Sequence, residues 1–286
     1  MTFAVLCVMG LPASGKTTLC RLLQETDASV LGNISLGYPC SLVKHISFDE
    51  LENAEKRSNT CVFDPAAWRR ARQRAFDDFD RLRSQVESEQ TSMTLVLLDD
   101  NFFYKSMRKR FRPHGIIFLN RGVDECITLN RQRGRPLPDS LIENMAILLE
   151  IPEPSQNTSV LTIPATANDG PEDIVRFVLE SRGFWSEVFL RATSPSIPPL
   201  DDKRTYSNPS ERENALDELE KQLRRCVSRL ATETRLPPEI IKKVSLIKQE
   251  LVARCKRIIR TDSTEDEIDE IIESAVVEFN SEIAKL

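Results

Sequence analysis

The sequence predicts an α/β fold: a parallel sheet with helices on both faces, followed by a smaller, all-helical C-terminal domain. Three observations carry that expectation. Short apolar runs alternate with amphipathic stretches of helical length as far as about residue 183. The first of these runs is apolar at successive positions rather than at every second one, as a strand buried on both faces must be. After a Pro/Ser-rich segment at 193–211, only helical periodicity continues.

The elements follow in order. Residues 3–9 (FAVLCVM) read as a strand ending at Gly10, and 16–25 as the next helix. Residues 43–48 (VKHISF) form a second strand candidate, ending at Asp49 and Glu50. Asp64-Pro65 signals a helix start, with Asp at the N-cap and Pro at the first helical position. That helix should run to about Ser88, with Trp68, Ala71, Ala75, Phe79 and Leu82 on one face. Residues 94–98 and 116–120 are the third and fourth strands, and 159–163 the fifth. Helices are expected at about 123–131 and 139–150, and from Asp169 to near Gly183. Three more follow at about 211–231, 237–260 and 264–284. The expected division is therefore residues 1–190, a linker at 191–210, and a helical domain at 211–286.

With 286 residues, 40% of them apolar and a net charge of −5, the chain can bury a real core and has an ordinary soluble balance. No apolar run approaches the roughly 20 residues that span a bilayer, and no membrane partner is expected. The apolar start runs into a glycine loop without a basic flank or a cleavage site, so it reads as a core strand rather than a leader. Seven cysteines, none at C-x-x-C spacing, read as free thiols in a reducing, cytoplasmic setting. With only two histidines, His45 and His114, a zinc site is not expected.

Gly10-Leu11-Pro12-Ala13-Ser14-Gly15-Lys16-Thr17 fits G-x-x-x-x-G-K-[ST]. Glycines let a backbone wrap a phosphate so that successive N–H groups point inward, and the following helix adds its positive end. The motif lies between a strand and a helix, where that mechanism needs it. Gly10 to Thr18 are thus the expected binding residues for ATP. Lys16 should reach the β- and γ-phosphates, and the Thr17 hydroxyl should hold Mg2+. The fold is then of the P-loop NTPase type.

Ligands of parallel α/β sheets sit beyond the carboxyl ends of the strands, and Gly10, Asp49, Asp99 and Asp100 all fall there. Asp99 is the expected second magnesium ligand, with Asp100 as its neighbour. Asp49 is the expected base for an acceptor hydroxyl, with Glu50 as the spare. Arg131, Arg133 and Arg135, in NRQRGRP, have the chemistry of a lid that neutralises a transferred phosphoryl group. A basic run, Lys105, Arg108, Lys109, Arg110 and Arg112, follows the third strand and suits either RNA phosphates or plain solvation.

Together, GLPASGKTT, ISFDEL, LVLLDDNFFYKSMRKR and NRQRGRPLP resemble the L-seryl-tRNA(Sec) kinase family, densely over about residues 3–165. The resemblance implies a kinase domain with a Walker B-like aspartate and an R-x-x-x-R element, which here is Arg131 to Arg135, then a helical tRNA-binding domain. It implies that Asp49 is the catalytic aspartate and that Phe103, Tyr104 and Met107 line an aminoacyl pocket. It also implies seryl-tRNA(Sec) as the partner. The oligomeric state is not set by the sequence, and a homodimer is compatible with it. A sister family, the Elongator-associated tRNA-binding ATPase, shares the P-loop, the downstream Asp and a C-terminal tRNA-binding domain; it hydrolyses ATP without phosphorylating a seryl group.

The C-terminal region hides a charge asymmetry. Residues 221–260 hold 12 Lys/Arg against three acidic residues, a net of +9, while 261–286 hold one Lys against nine Asp/Glu, a net of −8. A basic block without aromatic residues suits a duplex backbone rather than splayed bases.

Overall fold

The computed structural model describes residues 3–27, 30, 40–56, 65–88, 93–134, 136–164, 170–194, 209–233, 237–259, 265–283 and 285–286. The strands are β1 (Phe3–Gly10), β2 (Cys40–Ser47), β3 (Met93–Asp99), β4 (Gly115–Leu119) and β5 (Ser159–Ile163). They form one sheet of five in the order β2-β3-β1-β4-β5, and every pairing is parallel. The helices are α1 (Lys16–Glu25), α2 (Phe48–Glu55), α3 (Pro65–Ser88), α4 (Lys105–Lys109), α5 (Val123–Arg131), α6 (Asp139–Leu148), α7 (Pro171–Glu180), α8 (Arg182–Thr193), α9 (Pro209–Glu233), α10 (Pro238–Ile258) and α11 (Glu265–Ile283). The α/β class, the parallel sheet and the helical C-terminal part all stand as expected.

The order follows from side-chain alternation. Leu6 and Val8 of β1, Leu95 and Leu97 of β3, and Ile117 and Leu119 of β4 turn to one face. There they pack on Leu19, Cys20 and Leu23 of α1, Ile174 and Val178 of α7, and Trp185, Val188 and Phe189 of α8. Residues of the opposite parity meet an aromatic cluster. Phe3 lies edge-on to Phe79 at 5.5 Å, and Phe111 touches Phe48, Phe76, Phe79 and Phe102 with ring centroids 5.0–6.1 Å apart.

Two expectations change. Phe48 and Asp49 do not end β2. They open α2, because the Ser47 side chain accepts the Glu50 N–H at 3.3 Å and caps that helix. Gly183, read as a helix stop, is the second residue of α8. The break falls at Ser181, whose backbone leaves the helical region at ψ 62. α8, unforeseen in the sequence, delivers Trp185 to the core, where Nε1 donates to the Val178 carbonyl at 2.8 Å. The caps expected at Asp64 and Asp169 lie outside the described residues.

The chain divides into two compact units. The first comprises Met1–Ser58, Arg70–Pro136 and Leu149–Ile197; the second comprises Asn59–Arg69, Leu137–Leu148 and Pro198–Leu286. The second thus holds α6 together with α9–α11. Its core includes Ile142 and Met145 of α6, Leu219 and Leu223 of α9, Leu251 and Val252 of α10, and Ile268, Val276 and Phe279 of α11.

Candidate active site

The loop between β1 and α1 has the geometry its glycines allow. Gly10 adopts φ +150, and a Cβ there would lie 2.7 Å from the Leu119 carbonyl oxygen and 2.8 Å from Ser14 Oγ. Gly15 adopts φ +104 at the N-cap of α1, and Ala13 joins it in the left-handed region at φ 64. Ser14 Oγ is buried and has no hydrogen-bond partner among the described residues. A buried hydroxyl left in this way is costly, and an arriving phosphate oxygen would satisfy it. The residues present therefore fit a nucleoside polyphosphate.

Lys16 is 8% exposed, and its ammonium donates to Gly10 O at 3.1 Å, Leu11 O at 2.8 Å and Asn101 Oδ1 at 2.9 Å. Burial lowers its pKa, and the charges of Asp99, Asp49 and Asp100 counter that. Asn101 comes from the turn after β3, whose carbonyl also accepts the Gly10 N–H at 3.4 Å. Phe102 in that turn holds φ 44, a reversal that costs a bulky residue strain. Half-buried Thr17 follows Lys16, and Thr18 faces solvent.

Three carboxylates meet at this end of the sheet. Asp99, at the end of β3, is 3% exposed, and its Oδ2 lies 3.1 Å from His45 Nε2. Asp100 pairs with buried Arg72 at 3.1 Å. Burial raises its pKa to about 6 even against the Arg72 charge. Asp49, in the first turn of α2, keeps access to solvent, yet the protein crowding it raises its pKa, with Lys16 as the main opposing charge. Exposed Glu50 pairs with Arg21 at 2.8 Å, whereas the Asp49 charge bears on Lys16 together with those of Asp99 and Asp100.

For a metal, the expected pair is Thr17 and Asp99. The donor atoms of Cys20, His45 and Asp99 also lie within 4.8 Å of one another. Burial pushes the Cys20 thiol well above its usual range, and a protonated thiol is no ligand for magnesium, which takes oxygen donors. The hard oxygens of Thr17 and Asp99 are the set that fits.

Arg131 ends α5 and is exposed, as is Arg133, whose charge bears on both Lys16 and Asp49. Arg135 lies outside the described residues. Arg121, which sequence reasoning passed over, is buried and donates from Nε to Ser14 O at 3.4 Å, bracing the loop from the end of β4.

The basic run after β3 is not a uniform surface. Arg108 is buried, and its guanidinium donates to Phe102 O at 2.7 Å, to Met9 Sδ at 3.3 Å and to Glu150 O at 3.3 Å. It is an internal brace and cannot touch RNA, which corrects the reading of the whole run as surface. Arg110 lies over Phe76 at 3.6 Å from the ring centroid. Phe103, Tyr104 and Met107 are buried, the two rings 4.4 Å apart.

Within the second unit, Arg224 pairs with Glu220 on its own helix, and Arg254 with Glu278 of α11. Arg225, Lys242, Lys243, Lys256 and Arg257 are exposed. Arg235 and Arg260 lie outside the described residues. No helix among the described residues is long and apolar enough to cross a membrane.

Residues 3–269 match the model of the family described as Chromatin associated protein KTI12. The chain is 36% identical over 70 residues to L-seryl-tRNA(Sec) kinase of Mus musculus, which covers 22% of this chain and 20% of that protein. It is 36% identical over 83 residues to the Homo sapiens L-seryl-tRNA(Sec) kinase, covering 25% and 24%. The matched stretches thus span about a quarter or less of the length of these curated relatives. Among solved structures, a gluconokinase from Sinorhizobium meliloti aligns with a TM-score of 0.38 at 19% identity, covering 66% of this chain and 91% of that one. A sugar kinase from Janibacter aligns with a TM-score of 0.40 at 16% identity, covering 65% and 98%.

Proposed function

We infer function from a family premise: the chain belongs to the family described as Chromatin associated protein KTI12. Within it we propose ATP-dependent phosphorylation of the seryl group of L-seryl-tRNA(Sec), giving O-phosphoseryl-tRNA(Sec), a step toward selenocysteine. What supports this acceptor most directly is that two curated relatives carry the name L-seryl-tRNA(Sec) kinase.

The chain's own residues divide the chemistry as follows. Gly10 to Thr18 wrap the phosphates, with Lys16 exchanging its loop carbonyls for phosphate oxygens. Thr17 and Asp99 hold magnesium, which when bound supplies charge neutralisation across the phosphates. Asp49 orients the seryl hydroxyl and takes its proton as the oxygen bonds to the γ-phosphorus and the bond to the bridging oxygen of ADP breaks. Its raised pKa makes it a better proton acceptor than an ordinary carboxylate. Arg131 and Arg135 neutralise the charge spread over the moving phosphoryl group. Phe103, Tyr104 and Met107 receive the aminoacyl end, which requires their segment to open. The exposed cations of α9 and α10 hold the tRNA backbone. The setting is cytoplasmic.

A second reading is ATP hydrolysis coupled to tRNA binding without transfer. The family that the model describes, matched over residues 3–269, also fits it. The deciding experiment supplies seryl-tRNA(Sec), seryl-tRNA(Ser) and free nucleosides with γ-labelled ATP. Labelled phosphoserine after deacylation of the first establishes the kinase. ATP turnover with tRNA but no phosphoserine establishes the hydrolase.

A further inference from the structure

β2 and β3 pair in parallel, with His45 opposite Leu97 and Ser47 opposite Asp99. His45 and Asp99 are therefore diagonal neighbours on the face that α1 covers. A diagonal pair is within reach only of long side chains, and the imidazole spans it. Its Nε2 lies 3.1 Å from Asp99 Oδ2, and the two side chains are 6% and 3% exposed. Against a carboxylate, which as an anion only accepts hydrogen bonds, the ring nitrogen is the donor. The remaining neighbour in this cluster, the Cys20 thiol, is buried on α1.

A carboxylate at the end of a strand can rotate about χ2, and a metal ligand that rotates must be ordered each time the metal binds. Tying one oxygen to a group fixed in the sheet removes that freedom and leaves the other oxygen for the metal. Among the described residues, no other side chain hydrogen-bonds the Asp99 carboxyl. The mechanism above gives His45 no part, yet its side chain, between Lys44 and Ile46 on β2, is buried and hydrogen-bonded.

We propose that His45 is a positioning residue for the metal: by hydrogen-bonding Asp99 Oδ2 it sets the carboxylate so that its free oxygen meets the divalent cation of the nucleotide complex. This rests on Asp99 as a metal ligand, and the experiment separates the two claims. The readout is Mn2+ affinity in the presence of a non-hydrolysable ATP analogue, followed by the loss of the free Mn2+ electron paramagnetic resonance signal. It uses full-length wild type, Asp99→Asn, His45→Leu, His45→Asn and His45→Gln, with metal-free analogue binding measured alongside. Gln places its amide nitrogen near the position of Nε2, whereas Asn is too short to reach.

Asp99→Asn should weaken Mn2+ binding, and His45→Leu and His45→Asn should each weaken it by about 10-fold or more, the usual effect of losing an orienting partner. His45→Gln should recover most of that loss, and in the three His45 variants analogue binding without metal should stay unchanged. Wild-type Mn2+ affinity in His45→Asn, with Asp99→Asn impaired, overturns the positioning role while the metal reading stands. Equal loss in Gln and Asn also overturns it, since it points to general damage rather than a lost donor. Unchanged affinity in Asp99→Asn overturns the metal reading and the inference with it. Should His45→Leu not fold, the Asn and Gln pair still decides.

Discussion

His114, next to the first residue of β4, makes a sharp test of the fold's electrostatics. Its Nδ1 accepts the Val5 N–H at 3.0 Å, a bond that demands a neutral ring with the proton on Nε2. Burial, with the charges of Arg83 and Arg191, pushes its pKa from 6.5 down to about 4. The unfolded chain therefore takes up a proton below about pH 6.5, and the folded chain only below about pH 4. Between those values the unfolded state binds more protons, so stability is full above 6.5 and is lost as the pH falls toward 4. The gap of about 2.5 units at 1.36 kcal/mol each gives a loss of about 3 kcal/mol. In His114→Asn, Oδ1 can accept the same N–H without titrating. Urea unfolding of both proteins from pH 7 to pH 4 measures the difference. Groups common to the two cancel, including Asp100, whose raised pKa of about 6 acts with the opposite sign. Wild type should lose about 3 kcal/mol relative to the variant. A difference that stays constant across the range would refute the reasoning.

The other predictions concern the proposed chemistry. Lys16→Ala should lower kcat by at least about 10²-fold, the worth of about 3 kcal/mol of preorganised charge, measured by single-turnover transfer from labelled ATP. Asp49→Asn should leave ATP affinity by calorimetry within a few-fold of wild type, while kcat drops by about 10²-fold or more; near-normal turnover removes Asp49 from the chemistry. Arg131→Lys and Arg135→Lys should each lower kcat about 10-fold, because lysine lacks the planar fork of a charge-assisted contact worth about 1.5 kcal/mol; a silent variant excludes that residue from the lid. Arg224→Glu combined with Arg225→Glu should weaken tRNA binding and make its salt dependence shallower in filter-binding titrations, each lost phosphate contact removing about 0.9 from the slope, with ATP binding intact.

The sequence carried the phosphate loop in full, because its glycines are fixed by local backbone geometry. Gly10 at φ +150 and Gly15 at φ +104 state locally what the loop requires. Strand assignment was similarly local: residues buried on both faces are apolar at every position. What did not show were partnerships across long separations. His45 meets Asp99 across 54 residues, Lys16 meets Asn101 across 85, and Arg121 meets Ser14 across 107. Each depends on which strands are neighbours, and the order β2-β3-β1-β4-β5 is not written in any one of them. Arg108 was misjudged for a related reason. A run of cations reads as surface, but a guanidinium can be buried where carbonyls such as those of Phe102 and Glu150 converge. α8 was hidden because Gly183 imitates a C-terminal stop, whereas the real break at Ser181 carries no such mark.

The charges of the site explain why nucleotide and metal should arrive together. Asp49, Asp99 and Asp100 gather around Lys16, and each of the three carboxylates adds to the charge that holds the lysine protonated. All three protons of that ammonium are committed, to two loop carbonyls and to Asn101. A bare triphosphate would bring up to four negative charges beside three carboxylates and would have to draw Lys16 from good partners. Bound with a divalent cation, it brings its own counter-charge to Asp99, and Lys16 need only shift from carbonyl oxygens to phosphate oxygens in the same loop. Asp49 then remains as the carboxylate on solvent-accessible ground, the position from which an incoming hydroxyl can be met. An acceptor arriving there completes a kinase, and water arriving there completes a hydrolase. The difference between the two proposed activities therefore lies in what excludes water from Asp49, and the arginines proposed as a lid, with the Phe103–Met107 segment, are the elements suited to that task.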